Sequence, residues 1–133
     1  MTDHPTGAII AVVDDDPSIL KSLEYLLESA DYTVLVFASA PAMLESGCLA
    51  KIDGLISDID MTVMDGFDLA RAVHETRPEL PIAIITGHPE MLDRLPQMDA
   101  RHRLVFKKPF DGQELLTAIG DAIRNSRLHG PTS

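Results

Sequence analysis

The sequence is poor in cysteine, in basic residues and in long apolar runs. Its single cysteine, Cys48, excludes an internal disulfide and is typical of a reducing cytoplasm. Eleven lysines and arginines stand against 21 aspartates and glutamates, a net charge of −10 that would repel nucleic-acid phosphates. The longest apolar run, residues 8–13, is too short to cross a bilayer, and MTDHPTG lacks a signal-peptide layout. We therefore expect a cytoplasmic protein that binds neither nucleic acid nor membrane directly.

Five apolar runs alternate with segments of helical periodicity along 133 residues, which is the length of one domain. Continuous rather than alternating apolarity indicates strands that are covered on both faces. The predicted strands are residues 8–13, 33–37, 54–57, 82–85 and 104–106. Strands that alternate with helices form a parallel sheet flanked by helices. We predict an α/β fold, a doubly wound five-stranded parallel sheet with five helices, in a single domain (residues 1–133, core about 8–126).

Three helix starts are marked by residues that can accept hydrogen bonds from the first free amides of a helix. Asp16 precedes Pro17, Ser39 precedes a short apolar segment, and Asp111 has a glutamate three places on, as in a capping box. We expect the first helix to end near residue 31 and the last near residue 125. Between residues 88 and 103 apolar positions are few and Pro96 interrupts them, so we expect this segment to open locally at low free-energy cost.

Polar side chains stand where four of the predicted strands end. Asp14 and Asp15 follow the first strand, Asp58 the third, Thr86 the fourth and Lys108 the fifth. Taken singly, each has an ordinary explanation: a helix start, a strand end or a solvated surface charge. The carboxyl ends of parallel strands lie on one edge of the sheet, where open α/β folds keep their ligands. The joint placement therefore favours a functional site.

The residue types at this edge suit phosphoryl chemistry. Carboxylates a few ångströms apart repel by roughly 4 kcal/mol per pair at an effective dielectric near 20. A divalent cation relieves this repulsion, and an all-oxygen ligand set suits Mg²⁺. Asp58 could then act as a nucleophile toward a phosphoryl group and form an aspartyl phosphate. Mg²⁺, the Lys108 ammonium and the Thr86 hydroxyl could each meet one of the three equatorial phosphoryl oxygens.

The motifs VVDDDPSIL, ISDIDMTVMDG, IITGH and KKPF resemble the receiver domain of two-component response regulators over about residues 9–123. The resemblance implies a CheY-like (flavodoxin-like) sheet with strand order 2-1-3-4-5. It implies that Asp58 is the phosphoacceptor, Thr86 the switch hydroxyl and Lys108 the phosphate-binding lysine. The segments SLEYLLESADYTVLVFASA and TGH are most similar to receivers that precede LuxR-type DNA-binding domains in FixJ-like regulators.

The same resemblance implies a Mg²⁺ cofactor. Asp15 and Asp58 would bind it through side chains, Asp60 through its backbone carbonyl and Asp14 through water. It also implies that the peptide bond before Pro109 is cis, although cis bonds make up only about 5–6% of X–Pro bonds in folded proteins.

Partners follow from the resemblance as well. It implies a sensor histidine kinase or histidine phosphotransfer protein as donor, and an output domain or target protein bound through the face formed by residues 88–126. The chain would not be an enzyme beyond self-phosphorylation from small phosphodonors and self-dephosphorylation. No output domain follows the match, so we expect either a stand-alone regulator or the receiver of a longer protein.

Three positions depart from the family pattern. Thr62 stands where proline is usual, Arg101 where glycine is common, and Val105 where an aromatic residue normally accompanies the switch hydroxyl. Val105 has no aromatic ring that could rotate when Thr86 moves, so we expect that ordering of residues 88–103 conveys the signal. His88 is expected to be an exposed loop residue or a helix cap.

Two alternatives remain open at this stage. Asp58-Ile59-Asp60-Met61-Thr62 reads DxDxT, the nucleophile motif of haloacid-dehalogenase-type phosphatases, in which the second aspartate is the acid/base. That motif normally ends the first strand, and here it ends the third. A pseudo-receiver that only binds partners is disfavoured because all five site positions are present.

Overall fold

The computed structural model describes residues 7–61, 64–88 and 103–128. They form a parallel five-stranded sheet with helices on both faces. The strands are β1 (Ile9–Val13), β2 (Thr33–Phe37), β3 (Gly54–Asp58), β4 (Ile82–Thr86) and β5 (Arg103–Lys107). The helices are α1 (Pro17–Glu28), α2 (Ala40–Glu45), α3 (Gly66–Thr76) and α4 (Gly112–Leu128), with a 3-10 turn at Cys48–Ala50. The hydrogen-bonded order β2-β1-β3-β4-β5 confirms the predicted strand order.

Alternate residues of the central strands feed two separate apolar clusters, one on each face of the sheet. One cluster joins the sheet to α2 and α3; its members include Ala11, Val13, Leu55, Ile82, Ile84, Met43, Phe67, Leu69 and Val73. The other joins the sheet to α1 and α4; its members include Ile10, Val12, Ile56, Ala83, Ile85, Leu23, Leu27, Leu115 and Ile119. Because both faces are covered, these strands read as continuous apolar runs in the sequence.

Four of the five predicted helices lie within the described ranges, and the fifth, between residues 88 and 103, lies outside them. The interruption of that segment by Pro96 and its local opening at low free-energy cost stay predictions. None of the helices in the described ranges is long and apolar enough to cross a bilayer. The lone Cys48 is buried in the apolar cluster beside α2 and α3.

The helix starts follow the predicted caps. The Asp16 carboxylate accepts a hydrogen bond from the amide two residues on (2.9 Å), and Ser39 Oγ from the amide three residues on (3.2 Å). The Asp111 carboxylate accepts hydrogen bonds from the amides of Gln113 (2.8 Å) and Glu114 (3.2 Å). Each cap satisfies amides that have no partner inside the helix.

Two helix ends differ from the predictions. The first helix ends at Glu28, not near residue 31, because Ser29 Oγ donates to the Leu26 carbonyl (2.6 Å) and Asp31 adopts a φ of 69°. The last helix continues to Leu128, past residue 125. Its final turn is held by Ser126 Oγ, which donates to the carbonyl of residue 79 at 3.2 Å.

Candidate functional site

Three carboxylates converge at the carboxyl edge of the sheet. Asp14 and Asp15 follow β1, and Asp58 is the last residue of the neighbouring strand β3. One carboxylate oxygen from each residue lies within 4.8 Å of the other two. The convergence that strand order predicted is therefore present in the folded chain.

Asp14 is the most deeply buried member of this cluster, with 1% of its surface exposed. Its Oδ1 accepts a hydrogen bond from the Asp16 amide (2.8 Å), whereas its buried Oδ2 has no hydrogen-bond partner in the described part of the chain. Burial, followed by the charges of Asp58 and Asp15, raises the pKa of Asp14 to about 6, against the opposing effects of the Asp16 amide and Lys108. An unpartnered buried carboxylate oxygen beside two further carboxylates fits an oxygen-coordinated cation such as Mg²⁺.

Asp58 is 4% exposed, and two donors contact the same oxygen of its carboxylate. Lys108 Nζ lies 3.3 Å from Asp58 Oδ1, and the Asp60 amide donates to Oδ1 at 3.3 Å. Burial raises the pKa of Asp58 above its ordinary value, although Lys108 and the Asp60 amide both oppose the rise. Lys108, which follows β5, and Asp58, which ends β3, thus form an ion pair at the carboxyl edge of the sheet.

Thr86 is fully buried at the end of β4, in the strand next to Asp58. Its Oγ1 accepts a hydrogen bond from the His88 amide (2.8 Å), and its carbonyl accepts one from the Lys108 amide (2.8 Å). A hydroxyl that accepts one bond still has a hydrogen to donate. The Lys108–Pro109 peptide bond is cis, as predicted.

Asp60 lies beside the cluster without adding its carboxylate to it. Within the described residues, which include Asp60, the group of carboxylates close enough to share an ion consists of Asp14, Asp15 and Asp58. Asp60 Oδ2 lies 3.2 Å from His88 Nδ1, and both side chains are exposed. The carboxylate that would serve as acid/base in the phosphatase alternative is therefore engaged with His88. Thr62, the last residue of that motif, lies outside the described ranges.

Sequence reasoning missed two residues that shape this site. His88 is exposed, as expected, and it also contacts both Asp60 and Thr86. Gly66 is the first residue of α3, and its amide donates to the Ile59 carbonyl at 3.0 Å. A Cβ on Gly66 would lie 2.5 Å from the Asp58 carbonyl oxygen, so only glycine fits there. The one available signal was the Asp65-Gly66 pair, in which Asp65 is the N-cap of α3.

Val105 lies in β5 and is 39% exposed, so an aliphatic side chain occupies this surface position of the strand. Of the other two departures from the family pattern, Thr62 and Arg101, neither lies in the described ranges.

Curated proteins with similar sequences are transcriptional and response regulators. The chain is 34% identical over 119 residues to the transcriptional regulatory protein GlrR of Escherichia coli, covering 90% of this chain and 27% of GlrR. It is 33% identical over 117 residues to the response regulator protein TmoT of Ectopseudomonas mendocina, covering 88% of this chain and 53% of TmoT. The chain therefore spans between about a quarter and about half of the length of these relatives. The finer similarity to FixJ-like receivers stays a prediction.

Solved structures of receiver domains share the fold. The signal receiver domain of an HD domain-containing protein from Pseudomonas fluorescens Pf-5 superposes with a TM-score of 0.81 at 28% identity, covering 92% of this chain and 98% of that one. The family model for the response regulator receiver domain matches residues 10–120, which include every residue of the site described above. This chain belongs to the response regulator receiver domain family.

Proposed function

We propose that Asp58 accepts a phosphoryl group from a phosphohistidine, with Mg²⁺ as cofactor, and that the resulting change is passed to an output domain or target protein. The observation that carries this proposal is the Asp58 carboxylate, which is almost fully buried, 3.3 Å from Lys108 Nζ and clustered with Asp14 and Asp15. Such a carboxylate is confined, oriented and surrounded by the charges that phosphoryl transfer needs.

In the transfer step, an oxygen of Asp58 forms a bond to phosphorus while the phosphorus–nitrogen bond of the phosphohistidine breaks. The electron pair of that bond goes to the departing imidazole nitrogen, and the product is an aspartyl phosphate. Lys108 Nζ offsets the negative charge of the phosphoryl oxygens from one side. The Thr86 hydroxyl, held by the His88 amide, can turn to donate its hydrogen to another of those oxygens.

Asp14, Asp15 and Asp58 would hold the Mg²⁺ ion, Asp14 through water and the other two directly, with the backbone carbonyl of Asp60 as a further ligand. When bound, the ion neutralises charge on the phosphoryl group and on the three carboxylates. The unpartnered Oδ2 of Asp14 supports this assignment because a buried carboxylate oxygen is costly without a partner.

A groove beside the site offers the donor protein a place to bind. It has a volume of about 530 Å³ and is lined by Ser18, Ile19, Ser22, Lys108, Pro109 and Phe110. Because Lys108 lines this groove and also contacts Asp58, a sensor histidine kinase or histidine phosphotransfer protein seated there would bring its histidine toward the acceptor. The face formed by residues 88–126, which includes much of α4 and shares Lys108, Pro109 and Phe110 with the groove, would meet the output domain or target.

The chain as a whole would then be a single cytoplasmic receiver domain (residues 1–133). Its own chemistry would be limited to self-phosphorylation from small phosphodonors and self-dephosphorylation.

Intact mass spectrometry tests the proposal. After incubation with phosphoramidate and Mg²⁺, the chain should gain the mass of one phosphoryl group, and Asp58→Asn should gain none. A chelator in the reaction should suppress the gain in the unaltered chain. Undiminished labelling of Asp58→Asn would place the phosphoryl group elsewhere. Continuous hydrolysis of a generic phosphate ester would favour the phosphatase, and no labelling of either protein would favour the pseudo-receiver.

A further inference from the structure

The two outer strands of the sheet differ in their charge. In the described part of the chain, β2 lies at one edge of the sheet and β5 at the other. β5 reads RLVFK, with a basic residue at each end, whereas no residue from 32 to 44 carries a charge. Outer strands commonly carry charges because their unpaired amides and carbonyls would otherwise pair with another chain. The edge formed by β2 lacks this protection.

Alternate residues of β2 direct their backbone groups away from the sheet. The Thr33 amide and the Phe37 carbonyl form hydrogen bonds to the residues that flank β1, at 3.0 and 3.2 Å. The odd-numbered residues of β2 therefore bond toward β1, and by the alternation of a parallel strand the amides and carbonyls of Val34 and Val36 point outward. Val36 is also 38% exposed, so this part of the edge is open to solvent.

We propose that β2 binds β2 of a second copy of this chain, antiparallel about a two-fold axis at Leu35, so that the two sheets join edge to edge. In this register Val34 lies opposite Val36 of the second copy on each side of the axis. Each such pair exchanges two N–H···O bonds, which uses all the outward groups of both residues. The interface is self-complementary, as a two-fold axis requires, because Val34, Leu35 and Val36 are all apolar.

This register also keeps like charges apart. Asp31 precedes β2, so the two copies of Asp31 lie at opposite ends of the paired strands. Five residues at about 3.3 Å each separate them by roughly 16 Å or more, beyond the Debye length of about 8–10 Å at physiological salt. The same pairing of β5, centred on Val105, would place Arg103 opposite Lys107, and like charges directly opposite are destabilising. A second copy therefore fits β2 and not β5.

Sedimentation equilibrium of the full chain tests for this dimer. Two short strands bury little surface, so we expect weak association, with an average mass that rises above 14.5 kDa as the concentration approaches about 1 mM. Each copy carries a net charge of −10, so association should tighten when salt is raised from about 0.05 to about 0.5 M. A mass that stays at the monomer value in both salts would overturn the proposal, and this edge would then be open to an extended segment of a different protein.

Substitutions at Val36 test the surface. Val36→Lys brings two ammonium groups to diagonal positions about 7–8 Å apart across the paired strands, and should weaken association about ten-fold. Val36→Thr stays uncharged and β-branched, so it should associate like the unaltered chain. Val105→Lys is the matched control, because Val105 is 39% exposed on the other outer strand and the change in charge is equal. Thermal unfolding confirms that each variant is folded. Equal weakening by the two lysine substitutions would contradict pairing through β2.

Disulfide cross-linking tests the register. The two copies of Leu35 meet at the axis as a non-hydrogen-bonded pair with Cα atoms about 4.5 Å apart, a separation that a disulfide can span. Leu35→Cys treated with the thiol oxidant diamide should therefore form a covalent dimer. Thr33→Cys is the control, because its two copies would lie four positions apart, roughly 13 Å, and should cross-link at least about ten-fold more slowly. The native Cys48 is buried in both variants. Equal rates would overturn the proposed pairing.

Discussion

Gly66 lies against the backbone of Asp58 so closely that a Cβ on it would stand 2.5 Å from the Asp58 carbonyl oxygen. The same atom would be 2.7 Å from the Cα of Ile59, and the Gly66 amide donates to the Ile59 carbonyl at 3.0 Å. The first residue of α3 is thus pressed onto the end of β3. The positions of Asp58 and of the helix start are therefore coupled through backbone atoms, which cannot move aside as a flexible side chain could.

Gly66→Ala should destabilise the fold and disturb the acceptor. The added methyl group must push backbone against backbone, and overpacking of this kind costs about 1–3 kcal/mol of unfolding free energy. Urea unfolding monitored by circular dichroism measures the loss. Gly87→Ala is the matched control, because a Cβ there would meet no atom within 4 Å. Equal stability losses in the two variants would show that the contact with Asp58 is not the cause.

Asp14→Asn should stabilise the metal-free protein at neutral pH. Burial raises the pKa of Asp14 from 3.8 to about 6, so the folded chain retains a proton that the unfolded chain releases. Unfolding free energy therefore falls as pH rises from about 4 to about 6, by at most about 3 kcal/mol for this shift. Asparagine carries no charge and still offers an oxygen to the Asp16 amide.

Urea unfolding in the presence of a chelator, at pH 3.5 and at pH 7.5, measures this effect. The variant should exceed the unaltered chain by about 1–3 kcal/mol at pH 7.5 and by little at pH 3.5. Asp31→Asn is the control, because Asp31 is exposed and outside the carboxylate cluster, and asparagine tolerates its φ of 69°. An Asp14→Asn gain that is the same at both pH values would contradict the titration of Asp14 as its source.

Most of the fold and the main site could be read from local patterns. Continuous apolar runs revealed strands covered on both faces, and their order along the chain placed Asp58, Thr86 and Lys108 on one edge. The helix caps at Asp16 and Ser39 depend only on hydrogen bonds to amides two or three residues further on, so the sequence could predict them too.

The parts that escaped prediction depend on contacts between segments far apart in the sequence. The His88–Asp60 contact joins two turns that only the folded sheet brings together. The need for glycine at Gly66 arises from how closely α3 approaches β3, which no local pattern records. The first helix ends earlier than predicted because the Ser29 hydroxyl donates to the Leu26 carbonyl. A serine at this position can either end a helix in this way or continue it, and the local sequence does not distinguish the two.

The two aspartates proposed to bind Mg²⁺ in different ways should respond differently to substitution. Asp15→Ala removes a carboxylate from the cluster, whereas Asp60→Ala removes a side chain that contacts His88 and leaves the backbone carbonyl in place. Isothermal titration with Mg²⁺ should show a larger loss of affinity for Asp15→Ala, about ten-fold or more. Equal losses would mean that the Asp60 carboxylate is itself a ligand, as the phosphatase alternative requires.

Two adjacent lysines allow a charge-matched test of the acceptor environment. Lys108 Nζ lies 3.3 Å from Asp58 Oδ1, whereas Lys107 is the exposed last residue of β5. Lys108→Ala and Lys107→Ala change the net charge equally, so any difference between them reflects position. Lys108 opposes the effect of burial on Asp58, so its removal should raise the pKa of Asp58 further.

Loss of Lys108 should also slow phosphoryl transfer, because its ammonium would no longer offset charge on the phosphoryl oxygens. We expect the rate of phosphoryl transfer to fall about ten- to a hundred-fold. This loss is smaller than for a fully buried donor because the Lys108 side chain is 30% exposed. Time courses of mass gain with phosphoramidate and Mg²⁺ give the rate, and NMR titration of the metal-free protein gives the Asp58 pKa. Lys107→Ala should match the unaltered chain in both measurements. If the two variants slow transfer equally, net charge rather than the contact with Asp58 governs the reaction.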